Sequence, residues 1–206
     1  MATRRYEQRR RAESAEETRR RILDAMYARL REAPAQPVSV DRIARTAGVA
    51  RSTVYLVFGS RTGLFDALAR DLMDRSGYAD LLEAVSHPDA WEHMRGGITV
   101  GARMFAAERD VTRALFSMAQ LDEDAVGGAI GRIEEGRWRG MLRLAGRLAE
   151  QDLLRDDVTE RDAANTLWLI TGFDAFDGLY TARGLPLEEV TALLVAAAER
   201  ALLRGD

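Results

Sequence analysis

Residues 38–65 read VSVDRIARTAGVARSTVYLVFGSRTGLF, and this stretch decides how the rest of the chain is read. Ser39 is placed to cap a short helix with Asp41 in its first turn, and Val40, Ile43, Ala44 and Ala47 recur at helical spacing on one face. Gly48 closes that helix, because a glycine accepts the left-handed conformation at a helix end. After the turn Gly48-Val49-Ala50 a second short helix covers about Arg51 to Val57, and Gly59-Ser60 breaks it before another begins near Arg61. Two short helices joined by a tight turn, the second presenting arginine and hydroxyl side chains, have the form required to enter a DNA major groove.

Within that frame Val54 and Phe58 turn inward while Arg51, Ser52 and Thr53 lie at the exposed start of the second helix. An arginine fork suits guanine or phosphate, hydroxyls give short adaptable hydrogen bonds, and the Tyr55 hydroxyl can donate to a phosphate oxygen. Ser39 and Ser60 are helix caps first, and the free amides beside them also favour phosphate.

At these residues the chain resembles the TetR (TetR/AcrR) family of transcriptional regulators. The likeness covers about residues 14–70, with capping serine, Ala-Gly-Val turn, Thr-Val-Tyr, Phe58 and Leu64-Phe65 occurring together. It implies that Arg51, Ser52 and Thr53 contact DNA, that Tyr55 touches the backbone and that Arg61 meets a phosphate. Val57 stands where the family often has histidine or an aromatic, which removes one expected phosphate contact. Arg61 replaces the usual lysine and keeps its charge.

Outward from this segment, the first firm helix is expected from about Ala15 to Glu32, with Ile22, Leu23, Met26, Tyr27 and Leu30 as its apolar stripe and Pro34 and Pro37 beyond its end. A fourth helix, buried through Leu64, Phe65, Leu68 and Leu72, runs to about Arg75 and serves as a connector. Further helices are expected near 88–107, 109–119, 122–151, 159–183 and 186–203. The fold class is therefore all-α, with about nine helices. Residues 1–14 form a basic, disordered tail, 15–75 the helix-turn-helix head with its connector, and 76–206 a ligand-sensing and dimerisation domain.

Charge follows the same division. Residues 1–61 hold 14 arginines against seven acids, a balance of +7, while residues 62–206 hold 16 against 26, a balance of −10, within a total of −3. A basic head on an acidic body suits a polyanion partner, here double-stranded DNA. Arg4, Arg5, Arg9, Arg10 and Arg11 either reach a minor groove or phosphates, or act as a solubilising tail.

The composition excludes several alternatives. The chain has no cysteine, no lysine and only His87 and His93. It also lacks a nucleophile elbow and a phosphate-binding loop, so no catalytic residue and no enzymatic activity are expected. The two histidines sit six apart and read as solvated helix-start residues, so neither a metal nor a cofactor is expected. No apolar run approaches spanning length and the first residues lack an apolar signal region, so no membrane partner and a cytoplasmic location are expected.

In the C-terminal half Val190–Ala198 is apolar nearly all round and calls for a partner subunit as cover. The preceding helix carries a small-residue stripe through Thr171, Gly172, Ala175, Gly178 and Ala182, with Leu169, Phe173, Phe176 and Tyr180 facing another way. Gly172, Ala175, Gly178, Leu193, Leu194 and Ala197 are thus expected at a four-helix homodimer interface, as the resemblance also implies. Twofold symmetry in turn implies a palindromic operator. A small-molecule effector is expected in a pocket lined by Met104, Phe105, Phe116, Trp138, Met141, Trp168 and Phe173. Asp174 and Asp177 lie three apart on one apolar face, with arginine pairing the expectation and a cationic ligand or the dimer seam as alternatives. By resemblance the protein is a repressor that ligand binding releases from its operator.

Overall fold

The computed structural model describes residues 2–34 and 36–205, with side chains from residue 13 onward. The described residues form eleven α-helices and two π-helical turns. Helix α1 spans Ala2–Glu32. It begins well before Ala15 because residues 2–32 contain neither proline nor glycine and are rich in helix-favouring alanine, arginine and glutamate. The side chains of Arg4, Arg5, Arg9, Arg10 and Arg11, and any contact they make, lie outside the described residues.

The chain divides into two compact units, residues 1–71 with 110–130, and residues 72–109 with 131–206. In the first unit α1 packs on α2 (Val40–Thr46) and α3 (Arg51–Phe58), and α2 packs on α3. The stripe Ile22, Leu23, Met26, Tyr27 and Leu30 is buried, as are Val40, Ile43, Ala44, Ala47 and Val54. Arg29 is buried as well, although its type favours water. Its guanidinium donates to the carbonyls of Ala33 at 2.7 Å, Gln36 at 3.3 Å and Pro37 at 3.4 Å, satisfying the loop that leads into α2. Helix α4 (Arg61–Arg75) buries Leu64, Phe65 and Leu68. The first unit also takes in most of α7 (Arg109–Leu121) and the π-helical turn Glu123–Gly127, which the sequence reading places with the C-terminal domain.

The second unit is built on α6 (Ala90–Ala107), which packs against α5 (Tyr78–Ala84), α10 (Phe173–Asp177) and α11 (Leu187–Leu202), while α11 also packs on α9 (Glu160–Ile170). Helix α8 (Gly128–Glu150) supplies Leu144, Ala145 and Leu148 to the buried set. The helix expected over 159–183 is three pieces: α9, α10 and a π-helical turn at Gly178–Ala182. Gly172 is extended at φ −71° and ψ 153°, and the Thr171 hydroxyl bonds back to the Leu167 carbonyl at 2.7 Å. A glycine after a back-bonding threonine ends the helix there. The small-residue stripe is therefore not continuous. Nor do Leu169, Phe173 and Phe176 share a face, because Leu169 is exposed while both phenylalanines are buried. Together with α5, which periodicity did not reveal, this break raises the count above nine.

His93 departs from its expected solvated state. It is buried on α6, and Arg147 Nη1 donates to its Nδ1 at 2.7 Å. Arg147 also donates to the carbonyls of His87 and Pro88, each at 2.6 Å, so one arginine of α8 fastens the start of α6. Burial pushes the His93 pKa down to about 4, and Arg147 and Arg143 push it the same way. The unfolded chain then binds the proton more readily than the folded one between pH 4 and 6.5. The stability contributed by neutral His93 is full above pH 6.5 and is lost as pH falls toward 4. Thermal melts compared between neutral pH and a pH one unit below the ordinary histidine value, where carboxylates remain ionised, should show a lower Tm at the lower pH. His93→Gln, whose amide oxygen still accepts from Arg147, should flatten that difference.

Candidate nucleic-acid interface

The recognition segment is positioned by two glycines and one buried valine. Gly48 at φ 65° ends the turn after α2, and Gly59 at φ 75° ends α3, conformations that L side chains rarely adopt. Val54 is 1% exposed and fixes the rotation of α3 on α1 and α2. That rotation leaves Arg51 and Ser52 exposed at the start of α3 and Thr53 and Tyr55 half-buried beside them. Phe58 is also half-buried, with the Arg19 guanidinium 5.0 Å from its ring centroid.

Arg51 is held in place before any DNA arrives. Its Nη1 donates to Asp41 Oδ2 at 3.0 Å and Oδ1 at 3.3 Å, and Nη2 donates to the Tyr55 hydroxyl at 3.4 Å. The Tyr55 hydrogen bond and the Asp41 charge raise its pKa above the ordinary arginine value, so the charge is constant. The sequence reading missed this acidic partner, although Asp41 is visible in the first turn of α2. It also missed Leu56, which is 86% exposed one turn after Ser52 on the outward face of α3.

The two serines differ. Ser39 occupies the N-cap of α2, but its side chain makes no capping bond, so the expected cap is not closed by the hydroxyl. Ser60 does cap: its Oγ accepts from the Gly63 amide at 2.9 Å. Arg61, expected to face a phosphate, instead pairs with Asp122 just after α7, and both side chains are about one-third exposed. The signal for that pairing lies 61 residues away in the chain and has no local pattern.

The second unit holds a narrow cavity with room for little more than one water molecule, lined by Gly97, Ile98, Gly101, Ala102, Phe105, Thr171, Gly172, Phe176 and Leu194. Of the residues expected to line a pocket, Phe105 lines this cavity. Met104 and Phe173 are buried, Phe173 in edge contact with the Phe105 ring at 5.3 Å. Met141 is half-buried and receives the Thr171 hydroxyl at 3.7 Å, and Trp138 is half-buried without lining the cavity. Trp168 is exposed on α9, under the Arg137 guanidinium at 4.8 Å. Phe116 belongs to the first unit.

Asp174 is exposed, whereas Asp177 is 1% exposed and accepts from Arg109 Nε at 2.6 Å and from the Thr181 hydroxyl at 2.6 Å. Arginine pairing therefore accounts for Asp177, and the two carboxylates differ in environment, Asp177 turning inward and Asp174 facing solvent. Two residues expected at a subunit interface also turn inward: Gly172 and Leu194 line the cavity. Leu193 and Gly178 are exposed, and Ala175 and Ala197 are half-buried. No helix among the described residues is long and apolar enough to cross a membrane.

A three-helix head with an outward-facing second helix after a glycine turn is a helix-turn-helix DNA-binding domain. Residues 22–68 match the family model described as bacterial regulatory proteins, tetR family. The fold is shared with solved TetR-type structures. NalD, the secondary repressor of the MexAB-OprM multidrug efflux pump in Pseudomonas aeruginosa, has 22% identity and a TM-score of 0.72, over 94% of this chain and all of that one. The ketosteroid transcriptional regulator of Mycobacterium tuberculosis has 18% identity and a TM-score of 0.61, over 91% and 95% of the two chains. A TetR-like transcriptional regulator from Rhodococcus has 19% identity and a TM-score of 0.66, over 89% and 94%. Comparison with curated proteins returned no match.

The difference between the serines is measurable. Ser60→Ala should cost about 1 kcal/mol, the usual value of a side-chain cap, and Ser39→Ala only a few tenths. Urea unfolding followed by circular dichroism checks both, and an equal loss for the two would mean that the Ser39 hydroxyl caps in solution.

Proposed function

We propose that the protein is a transcriptional repressor that binds a palindromic operator as a homodimer and leaves it when a small apolar molecule occupies the second unit. The observation that carries this reading is the outward face of α3. Arg51, Ser52, Thr53 and Tyr55 are presented there on a helix whose rotation the buried Val54 fixes. Arg51 and Tyr55 are ready donors to phosphate or guanine, and the hydroxyls of Ser52 and Thr53 reach base edges. Leu56 adds an apolar contact suited to the methyl group of thymine. Ser39 and Ser60, exposed at the starts of α2 and α4, join the phosphate-facing set with Arg61.

Dimerisation is supported by the apolar surface left on α9 and α11. Trp168, Leu169 and Leu193 are exposed on two helices that pack on each other, which is the arrangement a second copy would cover to form a four-helix contact. The cavity is water-sized as it stands and marks where an effector would have to open the second unit. Its lining is almost wholly carbon, with the Thr171 hydroxyl already bonded to the Leu167 carbonyl, so it favours a small apolar ligand. Helices α4, α7 and α8 each carry the chain across the boundary between the units, and a ligand that favours one conformer of the second unit can act through them on the head. The reading is of a regulator rather than an enzyme, acting in the cytoplasm where its DNA lies.

Selection from a random DNA pool tests this reading. The wild type should recover a palindrome whose half-sites lie about one helical turn apart, and Arg51→Ala/Tyr55→Ala should recover none. Recovery of no preferred sequence by either protein would send the search for function to the second unit. With the recovered operator, replacing thymine by deoxyuridine at one half-site position should weaken the wild type by about fivefold and leave Leu56→Ala unaffected, since a methyl contact is worth about 1 kcal/mol. If every thymine tolerates the change equally in both proteins, Leu56 does not read the methyl group.

A further inference from the structure

We propose that Asp122 competes with a DNA phosphate for Arg61, so that the turn after α7 acts as a built-in brake on DNA binding. The inference rests on the DNA-binding reading of the head and adds a regulatory contact to it.

The contact has two parts, both within the first unit. Asp122 uses its two carboxylate oxygens separately: Oδ1 accepts from the Ala125 amide at 3.2 Å, capping the π-helical turn Glu123–Gly127, and Oδ2 accepts from Arg61 Nη1. One residue further along α4, the Thr62 hydroxyl donates to the Asp124 carbonyl at 3.2 Å. The first two residues of α4 are thus fastened to one turn, and the Arg61 guanidinium lies 5.3 Å from the centroid of the buried Phe65 ring. Asp122, Glu123 and Asp124 follow one another, so the turn that holds Arg61 is itself strongly acidic.

A phosphate approaching that helix start meets a guanidinium whose charge is already matched, together with a local negative field. Binding with Arg61 then requires the Asp122 pair to open. A conformer with the turn docked binds DNA more weakly than one with the turn displaced, and any ligand that favours the docked form lowers DNA affinity by that difference. Because α7 enters the turn and α8 leaves it, the brake sits on chain segments that continue into the second unit.

Asp122→Asn separates the two roles of the carboxylate, since asparagine still accepts the capping bond from Ala125 while losing the charge that holds Arg61. Binding to a labelled duplex of mixed sequence, measured by fluorescence anisotropy at several salt concentrations, reads phosphate contacts without a known operator. Asp122→Asn should bind about threefold to fivefold more tightly than wild type, in keeping with the strength of a partly exposed ion pair. The slope of log K against log salt should steepen by about 0.9, the signature of one more neutralised phosphate. In an Arg61→Gln background the same substitution should change neither quantity, and melting curves should show each variant folded, with Tm lowered by no more than the loss of one partly exposed ion pair.

Three results would overturn the proposal: no change in affinity or slope, an equal gain in the Arg61→Gln background, or weaker binding by Asp122→Asn, which would make Asp122 a positioning residue for Arg61. If wild type fails to bind and Asp122→Asn binds, the brake is strong; if neither binds, both the brake and the DNA-binding reading fall. Tight binding of mixed sequence without a selected palindrome would leave the brake standing and remove the sequence-specific reading.

Discussion

Burial of one face of α1 is the constraint on which the head depends. Ile22, Met26 and Leu30 are completely buried, and α2 and α3 are too short to hold their shape without that surface. The loop between α1 and α2 contains two prolines and offers carbonyls that α-helices would otherwise satisfy, and Arg29 supplies their donors. A buried guanidinium is costly in isolation, and here its two terminal nitrogens recover hydrogen bonds lost to water while its Nε makes none. With α1 and the loop fixed, the only freedom left to α3 is rotation about its own axis, and Val54 removes it. The chemistry of the DNA-facing side follows from that rotation, which places Arg51, Ser52 and Leu56 outward.

Two arginines of the head share a feature that bears on how it meets DNA. Arg51 is paired with Asp41 and Arg61 with Asp122, so the binding surface carries its charges in partly neutralised form. The Arg51 pair is well exposed and yields easily to a phosphate or base. The Arg61 pair is about one-third exposed, is joined by the Thr62 contact and caps a turn with its other oxygen. The first arrangement orients a side chain, and the second withholds one. Both reduce unspecific attraction to polyanions, which matters for a head whose first 61 residues carry a net charge of +7.

The head was legible in the sequence because its information is local. Capping position, glycine turn and apolar spacing fall within 28 residues of one another, and each has a single structural meaning. The pairing of Arg61 with Asp122 was not legible, since ion pairs between distant helices leave no periodic trace. The second half was legible as helix but not in detail. Thr171 and Gly172 read as members of a small-residue stripe, whereas the threonine bonds back to its own helix and the glycine takes an extended conformation. Leu193 and Leu194 show the same limit from the other side: a helix apolar nearly all round does not reveal which leucine faces its own core.

That ambiguity has a structural meaning of its own. Leu194 lines the cavity while its neighbour Leu193 is exposed, and Gly172 lines the cavity three residues after the exposed Leu169. Helix α11 and the end of α9 therefore form a wall one helix thick between an internal space and an apolar outer face. A close-packed interior transmits small displacements rather than absorbing them. The cavity has room for little more than one water molecule, so any larger occupant must displace part of its lining. The break at Thr171–Gly172 and the π-helical turn at Gly178–Ala182 are the places where this wall has fewest regular helical hydrogen bonds to lose. On the function proposed above, a ligand entering there would alter the outer face by the same movement that admits it, which would make effector binding and subunit association two consequences of one deformation.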